Sequence, residues 1–389
     1  MAAEDRISGL PSDILDHILG LLPIRDAART SALSTAWRDV WLSLSQLIFD
    51  TNFFHHIHDR YIEECAMLVI DKILMRHNRP LRKFVFHFGN FFGAKRDTKS
   101  SWVEFDEWLL YLTINGVEEL DLSFFGSSGC AYELPDFIFS CSTLKKLHLH
   151  GVYVEPIKVP CIFPNVTSLC LQDIQFDSRN LLYSPKDLPM LESLECEDIS
   201  GFNITAPKLR SLKISNVTSH DILPVTLDLK PIFALHLDYC SAKDFIKELT
   251  RLGKQGTTLN VGHLKLHLYD EDDEIPAFFN LLRLCPNLYK LDIELPINAV
   301  ANTTDVSLEH PEYIVAKTGQ RVHTLILSCA FRGSKPEMLF FMWLLACFPM
   351  LEKVFIHQRK TFCSNTEFKN QRKLLRFLRA SSKADIVYS

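Results

Sequence analysis

Hydrophobic and polar positions along this chain follow two different periods. Within the first fifty residues the apolar side chains recur three and four positions apart, as at Ile14, Leu15, Ile18, Leu19 and Leu22. That spacing predicts helices with one apolar face. Beyond residue 80, short runs of the type L-x-L alternate apolar and polar positions, which predicts strands. We therefore expect a helical N-terminal unit followed by a region of repeated strands.

The N-terminal unit is predicted to contain three short helices. Pro11 suits the first turn of the first helix, and Pro23 ends that helix because the residue before a proline disfavours helical geometry. A second helix is expected over 25–32. Ser34 is a candidate N-cap for the third helix, in which Trp37 and Trp41 lie four apart and share a face.

So small a unit buries a low fraction of its surface, and its apolar side chains therefore need the rest of the protein or a partner. The pattern D-x-I-S-x-L-P, then I-L, then L-P-x-R-D-A-x-R-T-S-x-L-S-x-x-W-R-x-x-W resembles a plant F-box. That resemblance implies docking to a Skp-type adaptor, which connects the protein to a cullin and a RING subunit in an SCF-type ubiquitin ligase. The residues that match the motif, and would supply or support the adaptor surface, are Leu10, Pro11, Ile14, Leu15, Leu22, Pro23, Leu33, Trp37 and Trp41. An N-terminal helical cap on a larger domain is the alternative interpretation.

One strand-like phrase recurs from residue 81 onward. It occurs at 81–88, 117–124, 144–151, 166–173, 191–198, 209–216, 233–240, 263–270, 288–295, 322–329 and 351–358. The spacing of roughly 18 to 36 residues brackets that of leucine-rich repeats. Several of the phrases are preceded by a short segment such as CPNL or FPML, which ends the previous element before the strand begins. The region resembles irregular plant leucine-rich repeats. It predicts an α/β solenoid with parallel strands on its concave face, stacked so that their leucines form one core.

The last seventy residues resemble the FBD module of plant F-box proteins with leucine-rich repeats. The resemblance rests on SKPEMLFFMWLLACFPMLEKVFI and KLLRFLRASSKADIVYS. A capping box at Ser334-x-x-Glu337 predicts a helix start, and 384–388 predicts a terminal strand. The predicted organisation is an F-box at 1–48, a helical linker at 49–79, leucine-rich repeats at 80–318 and an FBD-like α+β module at 319–389.

Composition narrows the class of protein. A net charge of −5 argues against a general nucleic-acid binder. The acidic amino terminus lacks an apolar segment typical of a secretory signal, and the apolar run at 338–351 is too short to span a membrane. The 11 cysteines form no C-x-x-C pair, which favours reduced, structural thiols. We expect an intracellular protein of the cytoplasm or nucleus that binds neither nucleic acid nor membrane.

The sequence contains no recognisable catalytic or metal-binding motif. G-x-S-x-G, the phosphate-binding G-x-x-x-x-G-K-[ST] and H-E-x-x-H are all absent. His55, His56 and His58 are close together, but no second ligand pair stands at zinc-site spacing, so an exposed loop is the preferred interpretation. We expect a non-catalytic protein without cofactor or metal.

A protein target would bind the polar side chains that alternate with the core leucines of the strands. The candidate residues are Lys146, His148, Glu195, Lys213, His236, Lys265, His267, Lys290, Asp292 and Phe355. Their mixed charges suit a protein better than a polyanion, although ordinary solvated strand positions explain most of them individually. One alternative is a small-molecule co-receptor that resembles those for plant hormones. A second is an extracellular leucine-rich-repeat binder, but the missing signal sequence argues against it.

Overall fold

The computed structural model consists of two compact units. The first comprises Met1–Leu191 with Gly201–Asn203, and the second comprises Glu192–Ser200 with Ile204–Ser389. The residues that the structure describes are 7–55, 62–88, 102–124, 132–177, 185–199, 203–215, 228–238, 258–267, 278, 281–295, 321–329, 340–341, 344–358, 381 and 383–388. The capping box at Ser334, the histidines at 56 and 58 and the basic tail up to residue 380 lie outside these residues.

Three helices open the first unit, as the sequence predicts: α1 (Ser12–Gly20), α2 (Ile24–Thr30) and α3 (Thr35–Trp41). Pro11 and Pro23 occupy the N-cap positions of α1 and α2, where a missing N–H group costs nothing. Ser34 Oγ accepts a hydrogen bond from the Trp37 backbone N–H at 3.4 Å, which confirms it as the N-cap of α3.

A strand that the sequence did not reveal follows α3. β1 (Gln46–Phe49) pairs in parallel with β2 (Lys83–Phe88), so that Leu47 lies opposite Phe84. Two helices connect these strands, α4 (Thr51–His55) and α5 (Ile62–Arg76). The expected loop at His55 is therefore wrong, because Asp50 Oδ1 accepts a hydrogen bond from the Phe53 N–H at 3.1 Å and starts a short helix.

The remaining elements of the first unit alternate strands with short connections. They are α6 (Val103–Ile114), β3 (Glu119–Phe124), β4 (Tyr132–Glu133), a 3-10 turn at Asp136–Ser140, β5 (Lys146–His150), β6 (Val152–Val154), β7 (Ser168–Gln172), β8 (Gln175–Phe176) and β9 (Lys186–Asp187). The main sheet of this unit is parallel, in the order β1-β2-β3-β5-β7, and a smaller sheet has the order β4-β6-β8.

The second unit continues the same pattern. Its strands are β10 (Ser193–Glu197), β11 (Ile204–Thr205), β12 (Ser211–Ser215), β13 (Ala234–Asp238), β14 (His263–His267), β15 (Lys290–Glu294), β16 (Thr324–Cys329), β17 (Lys353–Gln358) and β18 (Asp385–Tyr388). All except β11 form one parallel sheet in chain order. Every predicted strand phrase, and the predicted terminal strand, is confirmed, and within each unit the strands stack in sequence order, as in a solenoid.

A recurring hydrogen-bond pattern sets the register of the strands. The carbonyl group of the residue before one strand accepts two N–H groups from the start of the next. Gly262 O, for example, accepts from Tyr289 at 2.9 Å and from Lys290 at 3.0 Å, and Ser45 O accepts from Arg82 and Lys83 in the same way. All these strands consequently begin at one level, and each core leucine lies opposite the next.

The core follows from this register. Leucines of adjacent strands, such as Leu120, Leu147 and Leu169, are paired in register and nearly fully buried. An aromatic cluster lies beneath α6 in the first unit, formed by Phe86, Phe105, Trp108, Phe124 and Tyr132. The strand residues between the core positions face away from the leucines and remain partly accessible.

Cys141, Cys285 and Cys347 are buried thiols, as predicted for small core residues. Burial raises the pKa of both Cys285 and Cys347 to about 12. A thiol is nucleophilic only as the thiolate, so these two side chains are structural.

Candidate functional site

Apolar side chains are concentrated on the surface of the N-terminal three-helix unit. We call this set the apolar edge. It consists of Ile7 (57% exposed), Leu10 (38%), Ile14 (44%), Leu21 (73%), Leu22 (39%) and Leu33 (71%). They precede α1, lie on its outer face or occupy the turns that follow α1 and α2. Because α1 already buries Leu15 and Leu19 on its inner face, the helix presents apolar residues on both sides.

The structure divides the nine predicted adaptor-binding residues into two groups. Leu10, Pro11, Ile14, Leu22, Pro23 and Leu33 are exposed. Leu15 and Trp37 are buried and Trp41 is half-buried, so these three support the surface from below. The Trp37 indole N–H donates to Ser8 Oγ at 3.0 Å, which fastens the segment before α1 to α3.

Ile7 and Leu21 belong to the apolar edge but were missed from the sequence. Each lies outside the strongest spacing of the helical stripe, one in the chain before α1 and the other at its C-cap. The available signal was their proximity to the Leu-Pro steps, at Leu10-Pro11 and Leu22-Pro23.

Two cavities adjoin each other between the N-terminal helices and α5, and both are lined by Trp41, Val69 and Ile73. The first has a volume of about 580 Å³ and reaches Pro23, Arg29 and Phe53. The second, which we call the basic cavity, has a volume of about 460 Å³. The residues that line it are Ser31, Arg38, Trp41, Leu42, Val69, Lys72, Ile73, Arg76 and His77.

Charged side chains on the accessible strand face of the first unit neutralise one another. Glu119 lies between Lys83 (3.7 Å) and Lys146 (2.6 Å), on adjacent strands. One level along the strands, Asp121 Oδ1 is 2.9 Å from His87 Nε2 and 2.8 Å from His148 Nδ1. The predicted target residues Lys146 and His148 therefore already have partners within the protein.

The contacts around Asp121 shift the pKa values of Asp121 and His148. Burial alone would raise the pKa of Asp121, but the adjacent His148 and His87 outweigh it and hold that pKa well below its usual range. Burial would likewise lower the pKa of His148, but the contacts with Asp121, Cys170 and Gln172 raise it to about 11. The pair is thus charged at neutral pH, with His148 as the imidazolium and Asp121 as the carboxylate.

The candidate target residues of the second unit are less uniformly neutralised. Lys213 forms an ion pair with Glu195, and Lys265 lies 3.8 Å from Glu294. Burial, together with the charges of Lys290 and Lys265, lowers the pKa of His263.

Other candidates of this unit differ in burial. Burial raises the pKa of Asp292, although nearby lysines oppose the shift. His267 is only 8% exposed and contributes little surface. His236 is half-buried on β13. Phe355 lies between Ile326 and Val387 in register, which forms an apolar row on three adjacent strands.

Among the described residues, no group of three or more His, Cys, Asp or Glu side chains is arranged to hold a metal ion. The carboxyl group of Asp106, on α6, accepts a hydrogen bond from the Tyr132 hydroxyl, and burial raises its pKa. This pair lies beside the aromatic cluster and stabilises the packing of α6. Across all the residues that the structure describes, no helix is both long enough and apolar enough to cross a membrane.

Comparison with known proteins finds two family matches in the chain. The F-box domain family matches residues 7–49. A family described as the LRR repeats of the FBD-associated F-box protein At5g56370 matches residues 105–229, which include most of α6 and the strands from β3 to β12.

Similar proteins occur in Arabidopsis thaliana. F-box/FBD/LRR-repeat protein At1g13570 is 27% identical over an alignment of 430 positions that covers 99% of both chains. F-box/LRR-repeat protein At4g14103 is 29% identical over 55% of this chain and 56% of its own length. F-box/LRR-repeat protein At2g42720 is 30% identical over 54% of this chain and 48% of its own length, so these last two matches each span about half of the relative. The chain is thus similar to F-box/FBD/LRR-repeat proteins of Arabidopsis, with a match to the F-box domain at its N-terminus and a match to leucine-rich repeats after it.

Proposed function

We propose that this protein is the substrate-recognition subunit of an SCF-type ubiquitin ligase inside the cell. Its F-box docks a Skp-type adaptor, which connects it to a cullin and a RING subunit. Its repeats bind a protein that becomes ubiquitinated. The subunit itself performs no chemistry, and the ubiquitin transfer belongs to its partners.

The observation that carries this proposal is the apolar edge. Leu21 and Leu33 are more than two-thirds exposed although the unit is small. Burying one leucine side chain contributes about 1.5–3 kcal/mol, and micromolar affinity corresponds to about 8 kcal/mol. Because these residues are only partly exposed and association itself costs free energy, the apolar edge would supply part of that affinity and other contacts in the interface would supply the rest.

The proposal is tested by measuring the affinity of the full-length protein for a purified plant Skp-type adaptor. We expect the double variant Leu22→Asp/Leu33→Asp to bind at least about tenfold more weakly, because each substitution places a charge in an apolar interface. Both side chains are exposed in the free protein, so the fold should be retained.

The matched control is Leu110→Asp/Ile114→Asp on α6, where the two apolar residues are 44% and 73% exposed. This variant should bind the adaptor as the wild type does. The proposed role would be excluded if the adaptor bound neither the wild type nor this control. It would also be excluded if Leu22→Asp/Leu33→Asp bound the adaptor with wild-type affinity.

The accessible strand face is proposed as the target-binding surface. Its support is the alternation of buried apolar residues with accessible ones, which is complete on β5, β7 and β15. The second unit offers the chemically more varied part, where Lys290 and Asp292 on β15 are followed by the apolar row of Phe355 and its neighbours. Proximity labelling under proteasome inhibition would identify the targets.

A further inference from the structure

We propose that the basic cavity binds a small organic anion. The acidic group of the ligand, a phosphate or a carboxylate, would pair with Arg38, Lys72 and Arg76, and its apolar body would pack against Trp41. The proposal does not rest on the adaptor role, because the cavity and its charges exist in the isolated chain.

The charge of the cavity is the first argument. All of its titratable lining residues are basic, namely Arg38, Lys72, Arg76 and His77. Within the described residues, none of the ion pairs involves Arg38, Lys72 or Arg76. The cavity is thus positively charged although the chain as a whole has a net charge of −5.

The neighbouring cavity shows the contrast. There Arg29 is paired with Asp26 at 3.1 Å, and Asp26 and Asp50 are both among the lining residues. The lining of that cavity therefore includes carboxylates and one ion pair, whereas the described lining of the basic cavity contains no carboxylate.

The placement of the cations on two elements is the second argument. Lys72 and Arg76 are four apart on α5, so their side chains are neighbours on one helix face, where like charges are unfavourable. Arg38, on α3, lines the same cavity. A bound phosphate or carboxylate would remove this repulsion, and an arginine guanidinium can pair with either group through two parallel hydrogen bonds.

The apolar wall defines the rest of the ligand. Trp41, Leu42, Val69 and Ile73 line the cavity, and its volume of about 460 Å³ lies within the usual range for small-molecule sites. His77 is held in place because its Nε2 lies 2.7 Å from the Leu44 carbonyl oxygen. The walls therefore fit a compact ligand with one acidic end and an aromatic or aliphatic body.

The test uses ligand-observed NMR titration of the full-length protein with four probes: phenyl phosphate, benzoate, inorganic phosphate and neutral phenol. We expect phenyl phosphate or benzoate to bind at least about fivefold more tightly than inorganic phosphate and phenol, because only they engage both walls. Which of the two binds better distinguishes a phosphate from a carboxylate ligand.

Variants locate the binding. Arg38→Gln/Arg76→Gln should weaken the preferred probe at least about tenfold, and Arg76→Lys should weaken it less because the charge is kept. Arg210→Gln/Arg321→Gln, which removes two exposed arginines of the second unit that do not line the cavity, is the matched control and should have no effect.

Two results would overturn the proposal. One is that neither phenyl phosphate nor benzoate binds the wild type more tightly than phenol does. The other is that Arg38→Gln/Arg76→Gln retains probe binding; if this variant loses only adaptor binding, the cavity belongs to a protein interface. A melting temperature equal to that of the wild type verifies that the variants are folded.

Discussion

Gly151 and Gly116 both have a positive φ, but the two positions differ in the space available for a side chain. Gly151 follows β5 with a φ of 68°, and an added Cβ would lie 2.2 Å from the Phe124 carbonyl oxygen. Gly116 has a φ of 82° but open space around the same position. Backbone conformation favours glycine at both positions, but only at Gly151 would a side chain also meet the backbone of a neighbouring strand.

Gly151→Ala should therefore cost clearly more stability than Gly116→Ala. We expect about 1 kcal/mol for Gly116→Ala from the backbone alone. For Gly151→Ala we expect about 3 kcal/mol, because β3 or the turn must also move. Urea unfolding followed by tryptophan fluorescence measures both values, and equal losses would show that the contact with Phe124 is relieved without cost.

Asp121, between His87 and His148, should make stability depend on pH. The pKa of His148 is about 11 in the folded protein and about 6.5 when unfolded. Its stabilising contribution is therefore complete below about pH 6.5 and is lost as the pH rises towards 11. The pKa of Asp121 is lowered, so its contribution is present above about pH 4 and is lost in acid.

Asp121→Asn should consequently destabilise the protein most between about pH 4 and pH 6.5. We expect about 2 kcal/mol at pH 6, since the pair is only partly buried, and a smaller loss at pH 9.5. Glu119→Gln, in the more exposed neighbouring ion pairs, is the control and should cost less than about 1 kcal/mol at either pH. Urea midpoints at the two pH values test this, and a loss that increases towards pH 9.5 would contradict it.

At the scale of elements, β1 joins the F-box to the repeats. The strand is only four residues long, and the alternation of Leu47 with Phe49 is too brief to stand out beside the helical pattern before it. Its identity depends on Ser45 O accepting hydrogen bonds from Arg82 and Lys83, nearly forty residues away. The sequence-based boundaries, with an F-box ending at 48 and a linker from 49, pass through this strand.

A truncated chain that begins at residue 51 should accordingly fold less well than one that begins at residue 43. The shorter chain leaves the edge of β2 without its partner strand, and an unpaired edge promotes association with other chains. The longer chain retains β1 and the Ser45 carbonyl group. Size-exclusion chromatography would measure the monomer fraction of each, and equal fractions would show that β1 is dispensable.

At the scale of the whole molecule, the sequence indicated which residues belong to the candidate site better than it indicated which of them are exposed. Leu15 and Trp37 match the F-box motif as fully as Leu10 and Leu33 do, yet the first two are buried and the last two are exposed. A sequence motif contains both residues that pack in the core and residues that are exposed for binding, and only their burial in the structure distinguishes the two groups. The apolar edge therefore gained Ile7 and Leu21, and the two buried residues became its support.

The sequence by itself determined the helices of the F-box, the repeated strands and their alternation, because these patterns depend on residues within a few positions of one another. Tertiary structure decided the pairing of β1 with β2, the mutual neutralisation of Lys146 and His148 with carboxylates on β3, and the basic cavity. Each of these depends on side chains or backbone groups brought together from distant parts of the chain. Arg38 and Arg76 illustrate the difference, since no periodicity links them, and they line one cavity only in the folded chain.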